Sequence, residues 1–150
     1  MKRLEERLER FEYAVRLAAA AEGGFVVTCR DLPELVTQGE STADALAEAA
    51  DAMDEVFAAY IQSKRDFPTP TKARRGEHVV APPAETVAKS ALYVAMREAR
   101  VSNVQLAKRL GVDEKEVRRM LDPHYASKLP RLAQAIAVLG KRLVIGLVAA

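Results

Sequence analysis

The chain has one cysteine, Cys29, and two histidines, His78 and His124. A single thiol excludes an intramolecular disulfide and a thiolate metal site. The two imidazoles lie far apart and lack ligand spacing, so no metal residue is assigned. No apolar run approaches the ~18 residues that a membrane-spanning helix needs. The opening MKRLEERLER is charged and is not followed by the apolar core of a signal peptide. A cytoplasmic chain without cofactor is therefore expected. No Ser/Cys–His pair stands in a motif, and no glycine loop of phosphate-cradling type occurs. Metal nucleases gather carboxylates from strand ends, whereas most acids of the first half lie along one stretch with helical spacing. Catalysis is not expected, and no catalytic residue is assigned.

Bases are scarce in one half and acids in the other. Residues 11–63 carry ten acids against two bases, Arg16 and Arg30, a net −8. Residues 64–150 carry seventeen bases against eight acids, a net +9, so the overall +2 conceals a sharp division. With 150 residues, 49% of them hydrophobic and 29% charged, the chain has the profile of one globular domain or two small ones. A chain divided in this way has reason to meet two partners of opposite sign. The basic half suits nucleic acid. For the acidic half, composition leaves two readings open: solubility alone, or a basic protein partner drawn in by complementary potential.

Residues 2–11 read as a short amphipathic helix with Leu4, Leu8 and Phe11 on one stripe, too short to be stable alone. From Tyr13 the period becomes two. Tyr13, Val15 and Leu17 predict a half-buried strand, Gly23-Gly24 a hairpin turn, and Phe25, Val27 and Cys29 the returning strand. Asp31 to Glu34 is a turn and Leu35 to Gln38 a third strand. Ser41, with Asp44 three residues on, opens a helix whose core stripe is Leu46, Ala50, Met53, Phe57 and Tyr60/Ile61. Thr69 to Gly76 has the composition of a linker. Glu77 to Ala81 is a candidate fourth strand, and a helix follows from Ala84 to Arg100.

Ser102 to Asp113 is the strongest local signal. Ser102 caps a helix, Leu106, Ala107 and Leu110 form its inner face, and small Ala107 permits close approach. Gly111 ends the helix, Val112 fills the corner, and Asp113 caps the next helix, Glu114 to Leu121. With Val117, Met120 and Leu121 inward, Lys115, Glu116, Arg118 and Arg119 project outward, the arrangement of a recognition helix in a helix-turn-helix. Any small helical hairpin has a solvated charged face. The ordered set of cap, small residue, glycine, valine and second cap favours DNA. Ser102, Asn103, Gln105, Asp113, Lys115, Glu116, Arg118 and Arg119 are the candidate DNA-binding residues. Arg131 to Leu139 is a further helix, and Leu143 to Leu147 a last apolar strand that pairing with a second copy would satisfy. A homodimer or higher even oligomer is expected.

Gly23-Gly24-Phe25-Val26-Val27, Asp31-Leu32-Pro33 and Val36-Thr37-Gln38-Gly39-Glu40-Ser41, followed by an Ala/Glu-rich helix, resemble the HicB antitoxin family over about residues 12–147. Two positions depart from the pattern: Glu34-Leu35 stand where members often have Gly-Cys, and Ser102-Asn103 where such helices often open Thr-Gln. The resemblance implies an α+β chain. Residues 11–82 would form a β-β-β-α-β, partial ribonuclease H-like module that binds toxin, and residues 83–150 an all-α helix-turn-helix domain for DNA binding and dimerisation. It implies a HicA-like, mRNA-degrading toxin as one partner and operator double-stranded DNA as the other, with no membrane. On this reading the hairpin and the acidic helix meet the toxin through Glu22, Phe25, Asp31, Leu32, Glu34, Asp44, Glu48 and Asp51. The alternative is a free-standing helix-turn-helix repressor whose N-terminal module binds a ligand or dimerises.

Overall fold

Tyr13–Ala19 (β1), buried at Tyr13 to Val15, and Phe25–Cys29 (β2), buried at Val27 and Cys29, build the first hairpin. The computed structural model describes residues 8–149. Most of the expected helix 2–11 lies outside these residues, and Leu8 to Phe11 carry no regular structure. Val15 pairs with Cys29 and Leu17 with Val27, so Tyr13, Val15, Val27 and Cys29 share one face, all buried. Arg16, opposite Thr28, lies on the other face and is exposed. Gly23 and Gly24 form the turn, closed by Ala20 N–H donating to the Gly24 carbonyl at 3.0 Å. Val36–Gly39 (β3) pairs with β2, and His78–Val80 (β4) with β1, giving an antiparallel sheet of order β3-β2-β1-β4.

Thr42–Gln62 (α1) packs on the buried face of this sheet. The Ser41 hydroxyl accepts from Asp44 N–H at 3.1 Å, and the Asp44 carboxylate accepts from Glu40 N–H at 2.8 Å, which together satisfy orphan donors at the helix start. The buried stripe is Ala45, Ala49, Met53, Phe57, Ala58 and Tyr60. It is rotated from the sequence expectation: Leu46, Ala50 and Ile61 are only half-buried. The helix turns its alanines to the sheet because β3 approaches its backbone at Gly39, where a larger side chain would not fit.

Five of the eight aromatic residues gather at one end of this unit. Phe57 meets Tyr13 edge-on at 5.9 Å and Phe67 at 4.7 Å, Phe67 stacks on Tyr60 at 5.6 Å, and Phe11 meets Phe67 edge-on at 6.0 Å. Full burial of such side chains contributes about 1.5–3 kcal/mol each. The Tyr13 hydroxyl donates to the Pro68 carbonyl at 2.7 Å, and burial pushes its phenol above the ordinary range. The chain leaving α1 is thereby turned back onto β1.

The segment with linker composition is fastened to the hairpin. The Asp31 carboxylate accepts from Thr71 N–H at 2.9 Å and from the Thr71 hydroxyl. Arg30 donates to the Thr71 hydroxyl at 3.0 Å and to the Lys72 carbonyl at 3.1 Å, and pairs with Glu77 at 2.6 Å. Glu77 in turn accepts from Arg74 N–H at 2.7 Å, and Arg30, then Arg74, hold its carboxyl below the ordinary carboxylate range. Composition hid this because the partners come from a turn about forty residues earlier.

The chain divides into a first unit ending at Val87 and a second beginning at Ala88, the boundary falling within Ala84–Ala99 (α2). The second unit holds the rest of α2 together with Asn103–Leu110 (α3), Glu114–Leu121 (α4) and Leu129–Val138 (α5). Its core is Ala88, Leu92, Met96, Leu106, Ala107, Val117, Met120, Leu132, Ala135 and Ile136. Helix α5 starts two residues before the expected Arg131 because Pro130 is tolerated in a first turn. The expected strand at Leu143 to Leu147 is absent from the single chain. Val144, Ile145 and Leu147 are exposed there, and a strand needs a hydrogen-bonded neighbour that this chain does not offer.

Candidate functional site

The loop Gly111–Asp113 joins α3 to α4 and sets the first candidate surface. Ser102 and Gln105 form a reciprocal cap: the Ser102 hydroxyl accepts from Gln105 N–H at 3.2 Å, and the Gln105 side chain accepts from Ser102 N–H at 2.9 Å. Gly111 sits at φ 68°, where an L side chain is strained, and lets Val112 N–H reach the Ala107 carbonyl at 3.0 Å. The Asp113 carboxylate then accepts from Glu116 N–H at 2.9 Å and starts α4. Three of the eight candidates, Ser102, Gln105 and Asp113, therefore cap helix starts, the first two at α3 and Asp113 at α4. Asn103 is half-buried at the start of α3.

Val117, Met120 and Leu121 face inward from α4, which leaves Lys115, Arg118 and Arg119 exposed. Arg118 pairs with Glu114 one turn earlier at 3.1 Å. Glu116 is held by Arg131 of α5. The Arg119 guanidinium lies over the Tyr125 ring, 5.0 Å from its centroid. The result is a short helix with three outward cations, each placed by a neighbour or by the helix register. Such a surface can meet phosphate or the guanine edge. Exposed pairs of this kind are worth little to stability, so a polyanion displaces them at small cost.

Behind this face lies a group the sequence reading missed. Lys89 of α2 is fully buried, and its ammonium donates to the carbonyls of Arg119 at 2.9 Å and Asp122 at 2.7 Å, to the Tyr125 carbonyl, and to the Ser127 hydroxyl at 2.8 Å. A signal was present: Lys89 stands three residues before Leu92 and seven before Met96, on a core stripe. A lysine there demands buried oxygens.

The second candidate surface is the exposed side of α1, a helix with five acids and no base, of which Asp54 is half-buried and accepts from the Thr86 hydroxyl. Glu48 and Asp51 are exposed, and Glu55, outside the candidate set, lies on the same stripe. Glu22 is exposed in the hairpin turn and Phe25 is half-buried at the start of β2. The other candidates are engaged within the chain. Asp31 holds Thr71, and Asp44 caps its own helix. Glu34 accepts from the Tyr60 hydroxyl at 3.2 Å and from Arg65 at 2.9 Å. Its own backbone N–H first, then Arg65 and Tyr60, keep its carboxyl below the ordinary value. Leu32 is fully buried and offers no surface to a partner, because the turn carrying it folds inward beside Leu35.

Among the described residues no cluster of three His, Cys, Asp or Glu side chains could hold a metal, and no helix is long and apolar enough to cross a membrane. Cys29 is buried, and burial pushes its thiol up, away from nucleophilic use.

Residues 12–91 match the family described as the HicB-like antitoxin of bacterial toxin-antitoxin systems. Antitoxin HicB of Escherichia coli (strain K12) is 33% identical over 131 residues, covering 87% of this chain and 95% of that protein. Antitoxin HicB 2 of Photorhabdus laumondii is 37% identical over 122 residues, covering 81% and 86%. Antitoxin HicB of Pseudomonas fluorescens (strain Pf0-1) is 33% identical over 141 residues, covering 93% and 96%.

Proposed function

Because the chain belongs to the HicB-like family of bacterial antitoxins, we propose that it binds and neutralises a small, basic, HicA-like toxin that degrades mRNA, and that it represses its own operon by holding operator DNA. The observation that carries this reading is the separation of charge onto different elements. Helix α1 carries acids without a base, and α4 presents Lys115, Arg118 and Arg119, its own Glu114 and Glu116 being paired with Arg118 and Arg131. A toxin built to grip RNA is drawn to the first, and a phosphate backbone to the second.

In this reading residues 11–82 are the toxin-binding module. Its four strands and one helix are a trimmed ribonuclease H-like fold without that fold's catalytic metal site. Residues 83–150 are the DNA-binding and dimerisation domain, α3 and α4 its helix-turn-helix. The strand expected at Leu143 to Leu147 forms on meeting the same segment of a second copy, which would cover Val144, Ile145 and Leu147. The protein acts in the cytoplasm by stoichiometric binding and is no enzyme.

Pull-down of the full chain from its host tests the toxin half. A stoichiometric small basic protein, released only by denaturant, is the expected result. Recovery of the chain alone, still able to shift its upstream DNA, would replace the antitoxin reading with that of a plain repressor.

Arg118→Ala and Arg119→Ala test the DNA half. Each should weaken binding of the upstream duplex by about ten- to a hundredfold, the cost of one lost bidentate base contact. Toxin capture should be unchanged. Normal gel shifts by both variants at physiological salt would remove α4 from the interface.

A further inference from the structure

The three outward cations of α4 are not held alike. Arg118 is paired through its Nε with the Glu114 carboxylate, which competes there with any incoming acceptor. Arg119 is held by an aromatic face. A ring attracts the cation through its quadrupole, without accepting the N–H groups at the guanidinium edge. That contact restricts the exposed side chain and leaves its N–H groups to other acceptors.

Tyr125 can do this because its own backbone is fixed. Asp122-Pro123-His124-Tyr125 is a turn closed by Tyr125 N–H donating to the Asp122 carbonyl at 3.0 Å, with Pro123 at the position that favours it. The Asp122 carboxylate accepts from His124 N–H at 2.9 Å. Lys89 then binds the carbonyls of both Asp122 and Tyr125, together with that of Arg119 itself. One buried ammonium thus ties the backbone of the cation to the backbone of the ring that orients it. Tyr125 is 45% exposed, so its ring stays at the surface beside Arg119.

The geometry points to Tyr125 as a positioning residue for DNA binding: its ring presets the Arg119 guanidinium for bidentate contact, and Lys89 anchors the turn that carries the ring. The inference rests on the reading of α4 as the DNA-contacting helix. It adds a residue outside both α3 and α4, found neither by helix periodicity nor by charge. The gain is in preorganisation. An arginine already confined by the ring loses less rotamer freedom when it meets a base.

The test uses the full chain and a duplex of the sequence upstream of its gene, at physiological salt. Tyr125→Ala and Tyr125→Leu should each weaken binding about fivefold, the upper end for an exposed cation–ring contact. Tyr125→Phe keeps the ring and should bind within about twofold of the parent. In an Arg119→Ala background, Tyr125→Ala should cost nothing more, since the two residues act through one contact. Thermal unfolding of all variants should match the parent, which separates positioning from folding. An equal loss on Tyr125→Ala with and without Arg119 would overturn the inference, for the ring would then be touching DNA on its own account. So would failure of Tyr125→Phe to restore binding. If Arg118→Ala and Arg119→Ala both bind as the parent does, the DNA reading of α4 falls, and this inference falls with it.

Discussion

Lys89→Met should lower the stability of the second unit by about 3 kcal/mol and weaken DNA binding. The ammonium serves four oxygens in a site with no solvent exposure, three of them carbonyls at the end of α4 and in the turn after it. Methionine matches the stem in length and shape but donates nothing. Each buried acceptor left without a donor costs about 1–3 kcal/mol, partly offset because a charge no longer has to be desolvated. Against a total of about 5–15 kcal/mol for a native protein, the loss is large. Hydrogen exchange at the amides of Leu106, Val117 and Leu132 would report it directly. A change below about 1 kcal/mol would mean that water replaces the ammonium, and the anchoring role would be refuted.

The second large effect belongs to the first unit. Gly39→Ala should destabilise it by about 3 kcal/mol and with it the capture of a basic partner. A methyl at Gly39 would stand 2.4 Å from both the Cα and the N of Ala45, and 2.9 Å from the carbonyl carbon of Asp44. These are backbone atoms in the first turn of α1, so no rotamer change relieves the overlap. Either β3 or the helix must move. Gly24 lies close by as well, since a side chain there would come within 2.6 Å of the Gly39 carbonyl oxygen. Hairpin turn, edge strand and helix start meet at one point that only hydrogens can fill. Thermal unfolding of Gly39→Ala within about 2 °C of the parent would show that β3 shifts freely, contrary to this packing.

Much of this structure was legible from local pattern. The two-residue period of Tyr13 to Cys29 placed a hairpin, and the sequence of Ser102, Ala107, Gly111 and Asp113 placed two capped helices and their turn. These signals act within a few residues, where side-chain period and capping chemistry decide the outcome. What escaped depends on partners remote in sequence. Lys89 finds its oxygens thirty to thirty-eight residues later, and Arg30 and Asp31 find Thr71 about forty residues later. Leu32 was read as contact surface on the family resemblance, but the turn folds this leucine into the core. The stripe of α1 was read from Leu46 through Ala50, Met53 and Phe57, whereas Ala45 and Ala49 are the buried residues of its first turns, Ala45 against Gly39. The acidic candidates divided on similar grounds. Asp31, Glu34 and Asp44 are engaged by groups of the same chain, while Glu48 and Asp51, flanked by nothing but helix, stay outward.

The fastening of residues 71–77 to the hairpin also bears on how long the protein lasts in a cell. A protease threads an extended strand through its cleft, and Thr71 to Arg74 cannot be drawn out while Asp31 holds one amide and Glu77 another. The bonds after Lys72, Arg74 and Arg75, sites for a trypsin-like enzyme, are thus gated by Arg30, which grips Thr71, Lys72 and Glu77 together. When opening and closing are fast, the cleavage rate follows the fraction of molecules in which that grip is released. Cleavage within residues 72–75 is then controlled from the hairpin, far along the sequence from the bonds that would be cut.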